Sequence, residues 1–154
     1  MAKLFVAFTV ACALFAGVFG LVIVRGDGMT PTSGDGDVAL TSRTDRNLVA
    51  NDLVVYRSTS GQQLVGRVVA QPGDTVEVTN DGEFKVNGAT QPSKAGGKTE
   101  PVESGPTYPL TLGDGEYFVL GDNRASAVDS RAVGPVGISG VEGKVIALLR
   151  LRAI

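Results

Sequence analysis

Residues 63–88 read QLVGRVVAQPGDTVEVTNDGEFKVNG. Short runs of Val, Leu and Phe alternate here with Pro-Gly-Asp, Asn-Asp-Gly and Asn-Gly. Apolar runs punctuated by such residues read as β-strands joined by tight turns. Gln63–Ala70 predicts a first strand. Gln71-Pro72-Gly73-Asp74 predicts a type II turn, with proline fixing φ at the second position and glycine supplying positive φ at the third. Thr75–Thr79 and Glu83–Val86 predict two more strands around Asn80-Asp81-Gly82. Asn87-Gly88 is a hairpin signal, because both residues tolerate positive φ. The stretch commits the chain to a mainly β, antiparallel domain.

Asp52–Arg57 (DLVVYR) upstream and Tyr117–Leu120 (YFVL) downstream add a strand each. Gly143–Leu151 (GKVIALLRL) reads as the last one, although its length and lack of breakers also fit a helix. Residues 91–110 are polar and rich in Pro, Gly, Ser and Lys, which predicts a short loop insertion. Residues 26–154 thus form one domain.

Nearer the N-terminus the pattern changes. Leu4 to Val24 carries no charge. As a helix it would span about 30 Å, the thickness of a bilayer core. Residues 1–25 therefore predict an uncleaved transmembrane anchor. A cleaved leader has a shorter apolar region that ends at small residues. The expected arrangement is a single pass at the cell membrane, with the C-terminal domain outside. Cys12 lies inside the run. A lone cysteine forms no internal disulfide, and the reading for it is a small buried apolar residue.

Composition narrows the chemistry. Hydrophobic residues make up 43% and charged residues 19% of the 154, enough apolar material for a core. The chain has no histidine, which excludes Ser-His-Asp and Cys-His catalysis. With one cysteine it also lacks the usual zinc ligands, so neither metal nor cofactor is expected. A net charge of −2 without a basic run argues against nucleic acid as a partner.

Four stretches carry a resemblance: Gly26-Asp27-Gly28-Met29-Thr30-Pro31-Thr32, Asn51–Tyr56, Gly66–Val76, and Gly121-Asp122-Asn123-Arg124-Ala125-Ser126-Ala127-Val128-Asp129-Ser130-Arg131. In this order, after an apolar N-terminus, they resemble the boxes of the type I signal peptidase family. The resemblance implies an antiparallel β domain at the outer membrane face. It also implies cleavage of signal peptides by a serine nucleophile with a lysine general base. A hydroxyl is a weak nucleophile, and a lysine desolvated toward neutrality can take its proton.

Carried over position by position, the nucleophile falls on Gly28 and the base on Gly66. The oxyanion serine falls on Gly26, and the serine that holds the lysine falls on Ala127, with Ser126 one residue away. Asp27, Asp74, Ser33 and Ser42 are poor substitutes, and Lys85, Lys94, Lys98 and Lys144 lie outside the boxes. The resemblance implies that Met29, Pro31 and Arg67 border the cleft, and that Asp122, Asn123, Arg124, Asp129, Ser130 and Arg131 form a structural frame. An extended peptide would still fit such a cleft.

The missing pair gives the expectation of a pseudo-peptidase. A branch of the family without the pair implies an accessory role in sortase-dependent pilus assembly, with pilin subunits or the sortase as partners. The alternative is a signal peptidase with a rearranged active site. A self-cleaving repressor domain shares the first box but not the fourth.

Overall fold

The computed structural model describes residues 2–151. Met1 and residues 152–154, the outer ends of the two expected segments, lie outside the described residues. Helix α1 (Ala2–Val18) runs directly into strand β1 (Phe19–Ile23). Next come β2 (Val38–Ser42), β3 (Leu53–Arg57), β4 (Gln63–Ala70), β5 (Thr75–Val78), β6 (Phe84–Val86), β7 (Ala89–Thr90), β8 (Leu110–Thr111) and β9 (Glu116–Leu120). A short helix α2 (Ser130–Val133), β10 (Val136–Gly137) and β11 (Val141–Leu149) complete the fold.

Strands β1-β2-β11-β3-β4-β9-β10 form one antiparallel sheet and β7-β6-β5-β8 a second. The turn chemistry accounts for the joints. Gly73 sits at φ 88° and Asp74 N–H donates to the Gln71 carbonyl at 3.0 Å. Asn87 and Gly88 both take positive φ and let β7 fold back on β6.

The core lies on both faces of β9. Successive strand side chains point to opposite faces. Tyr117 and Val119 accordingly join one cluster with Val54, Tyr56, Val68 and Val141. Phe118 and Leu120 join a second with Val76 and Phe84. A register shift between Val68 and Ala70 turns β4 as well, so that Val68 serves the first cluster and Ala70 the second.

Two expectations need correction. The apolar run Leu4–Val24 is not one helix. It is helical to Val18 and extended from Phe19, because β1 pairs with β2 from Phe19↔Ser42 to Ile23↔Val38. The 17 residues of α1 rise only about 26 Å. Among the described residues no helix is long and apolar enough to cross a membrane. Cys12 is exposed on α1, not buried. The last segment is a strand, as its sequence reads: β11 is held between β2 and β3.

Candidate functional site

The first and fourth boxes are sewn together by backbone. Asn123 N–H donates to the Gly28 carbonyl at 3.0 Å. The Asn123 amide donates to the Asp27 carbonyl at 3.3 Å and to Thr30 Oγ1 at 3.1 Å. Met29, 2% exposed, pins the loop to the core, and Ser33 N–H closes a turn onto its carbonyl. Three small residues meet behind this loop. A Cβ on Gly28 would lie 3.3 Å from Ala127 Cα, and one on Gly121 only 2.6 Å from the Gly28 carbonyl oxygen. Gly121 thus permits the close approach that aligns the two boxes.

A cleft of about 1060 Å³ opens in front of Gly28. Residues 20–29, parts of β3, β4 and β11, and Ser126, Ala127 and Val128 line it, with Ala127 against Gly28. Gly26, Asp27, Gly28, Met29 and Ala127 therefore come together, as the spacing of the boxes implies. Pro31 is exposed and lies outside the lining.

Gly66 is not part of that lining. It is buried in β4, and a Cβ there would meet Val119 Cγ1 at 2.5 Å, with the Leu120 carbonyl oxygen and Tyr56 Cε1 at 3.4 Å. The space that a lysine would need is filled by valine and tyrosine. The Tyr56 hydroxyl is buried and finds no hydrogen-bond partner among the described residues. Burial, with Asp129 nearby, pushes its pKa well above the usual tyrosine range. Overpacking of this kind costs about 1–3 kcal/mol. Gly66→Ala should lower stability by that amount in a denaturant titration, and Val119→Ala in the same chain should relieve most of it.

Arg67 points to the opposite face. Its Nε donates to Asp122 Oδ1 at 2.7 Å and its Nη2 to Oδ2 at 2.6 Å, while Nη1 holds the Asn51 carbonyl at 2.9 Å. Thr32 Oγ1 also donates to Asp122. Burial alone would raise this carboxyl. The hydrogen bonds from Arg67 and Thr32 outweigh it and hold the group below the ordinary carboxylate range.

Asp129 and Arg131 form the second buried pair, at 2.9 Å. Asp129 also caps α2 and accepts Gly121 N–H at 3.1 Å. Ser130 Oγ accepts Val119 N–H, and Arg131 Nη2 donates to the Arg124 carbonyl at 2.6 Å. Arg124 pairs with no carboxylate among the described residues. It donates to the Gly121 carbonyl and Thr99 Oγ1 and stacks on Phe84, 5.6 Å from the ring centroid.

Of the substitutes considered, Asp27 lines the cleft and Ser33, Ser42 and Asp74 do not. Ser33 is fully buried, Ser42 lies in β2, and Asp74 accepts Gln71 N–H in its own turn. Among the described residues no lysine lines the cleft; Lys85 faces Glu83 and Lys144 faces Asp52. Instead Arg25, Arg43, Arg46, Arg57 and Glu142 line it. Sequence reading missed these, because they converge only through the strand order.

Comparison with known proteins agrees with the architecture. A family model described as "Signal peptidase, peptidase S26" matches residues 1–149. A signal peptidase I of Bacillus caldolyticus is 32% identical over 155 residues, covering 92% of this chain and 85% of that protein. A signal peptidase I of Bacillus amyloliquefaciens is 32% identical over 124 residues, covering 74% of this chain. The chain spans 66% of that relative's length, just under two thirds. The crystal structure of a signal peptidase I from Enterococcus faecalis V583 superimposes with a TM-score of 0.50 at 29% identity, over 64% of this chain and 97% of that one.

These relatives overturn the expectation of a non-catalytic pilus-assembly factor acting on pilin or sortase, since they bear the name of an enzyme. The physical reason is simple. Glycine at residues 28 and 66 says which two side chains are missing. It says nothing about a pilin surface and does not exclude another hydroxyl at the same cleft. With residues 1–149 matched and relatives at 32% identity, the chain belongs to the signal peptidase family, peptidase S26.

Proposed function

We propose that this chain cleaves the signal peptides of exported proteins in the cleft beside Gly28, through a hydroxyl supplied by a residue other than 28, where glycine has none. The carrying observation is the joined first and fourth boxes, which place two small residues in contact, Gly28 and Ala127, in the lining of a cleft of about 1060 Å³. Small walls suit the small residues that precede a signal cleavage site. Ser126 lines the cleft next to Ala127, is exposed and has no hydrogen-bond partner for its hydroxyl among the described residues. It is the nucleophile in this reading. Asp27, which lines the same cleft, is the acid available as base. An aspartate is a weak base toward an alcohol. Turnover is accordingly about 10²-fold or more below that of relatives with a matched base.

The chain works at a membrane surface. Leu4, Phe5 and Phe8 of α1 are 77%, 72% and 68% exposed, and Leu21 and Ile23 of β1 extend the same apolar character. Apolar area of this extent suits the acyl boundary of a lipid surface.

The test is cleavage of a preprotein by the purified full chain in detergent, read by gel shift and by mass spectrometry of the new N-terminus. Slow cleavage at a small-residue site is expected, falling at least about tenfold in Ser126→Ala, as loss of a nucleophile requires. Cleavage unchanged by Ser126→Ala would remove Ser126 from the reaction. No cleavage at any enzyme concentration would sink the reading.

A further inference from the structure

The cleft carries an uneven charge. Arg25, Arg43, Arg46 and Arg57 face only two carboxylates, Asp27 and Glu142, in a chain whose net charge is −2. Glu142 is fully engaged. Its Oε1 accepts Arg57 Nε at 2.8 Å and Nη2 at 2.5 Å, and its Oε2 accepts the Gln63 amide at 2.5 Å. Arg46 donates to the Ile138 and Val141 carbonyls at 3.1 and 2.6 Å, which leaves its charge uncancelled. Arg25 and Arg43 make no side-chain hydrogen bond or ion pair among the described residues. Arg43 lies along β1, where a Cβ on Gly20 would be 3.1 Å from its Nε.

The convergence is a product of topology. Arg25 comes after β1, Arg43 comes after β2 and Arg57 ends β3, and the strand order gathers them around one cavity. A cleft lined by one sign of charge focuses its field on whatever enters. A guanidinium matches a carboxylate with two parallel donors.

We infer that the cleft selects peptides with Asp or Glu in the polar segment after the scissile bond. This rests on the cleft being a signal-peptide site. The segment before such a bond is apolar and ends in small residues, so the carboxylate must lie on the mature side.

The experiment measures binding of three fluorescent peptides to the full chain in detergent by anisotropy. They share an apolar segment ending in Ala-x-Ala and differ only in the next two residues, which are Asp-Glu, Asn-Gln or Lys-Lys. The acidic peptide is expected to bind about 5–10-fold tighter than the basic one at low salt, and the ratio to shrink at about 0.5 M salt, as screening of exposed pairs requires. Arg25→Ala/Arg43→Ala should reduce the ratio. Lys85→Ala, on the second sheet beside Glu83, should leave it unchanged. Equal binding of all three peptides would overturn the inference while leaving the cleft reading in place. A ratio unchanged by the double arginine variant would overturn the assignment to these side chains. Binding of none would overturn both readings.

Discussion

Cleavage of a preprotein rises at least about 10²-fold when Gly28→Ser, Gly66→Lys and Val119→Ala are combined, because a positioned general base contributes about 10²–10⁴-fold. The two dyad positions ask for different things. At residue 28 the new Cβ meets Ala127 Cα at 3.3 Å, and a shift of a few tenths of an ångström admits it. At residue 66 the new Cβ meets Val119 Cγ1 at 2.5 Å, inside a fully buried cluster. The lysine enters only if that valine is truncated. Once there, among Tyr56 and Leu120, its ammonium is desolvated and its pKa falls toward neutrality. The control is Gly28→Ser/Gly66→Lys with Val119 retained. It should show a lower denaturation midpoint and little rate gain. A folded triple variant with no gain would mean that the cleft no longer holds a reactive geometry.

Arg67→Ala costs about 3–5 kcal/mol, the usual result of stranding one member of a buried ion pair. The side chains are 11% and 2% exposed, and the loss would leave Asp122 without its two strongest donors. Chemical denaturation reads the loss directly. The pair also sets an acid limit. The folded-state pKa of Asp122 is depressed, so its stabilisation is present above the unfolded carboxylate value of about 3.9 and disappears as pH falls through the folded value. Wild-type stability should therefore drop below about pH 4, and Arg67→Ala should flatten that part of the profile. A variant within about 0.5 kcal/mol of wild type, the ordinary scatter of surface substitutions, would show the pair to be energetically idle.

Much of the fold could be read locally. Pro72-Gly73 and Asn87-Gly88 carry their turn geometry in their own φ preferences, and the strands between them are set by those turns. Strand β1 could not be read, since Phe19–Ile23 continues the apolar run of α1 without a break and becomes a strand only through pairing with β2. The expected transmembrane helix failed for the same reason. In the site, the spacing of the boxes located Gly28, Gly66 and Ala127. It did not show that Val119, from a strand over 50 residues away, closes on Gly66. Nor did it show that Arg67 reaches Asp122, or that the arginines share a cavity. Those facts depend on which strands pair across the sheet, contacts between residues far apart in sequence.

The passage from α1 to β1 has no spacer. Val18 ends the helix, Phe19 opens the strand, and the Val18 carbonyl accepts Arg43 N–H at 2.8 Å. The exposed apolar helix and the strand that walls the cleft are thus continuous chain. If α1 seats in a lipid surface as proposed, the depth at which it seats acts as a ruler for the mouth of the cleft. On that reading, a flexible insert at this joint would let the domain drift relative to the surface, and would blur which bond of an emerging peptide it meets.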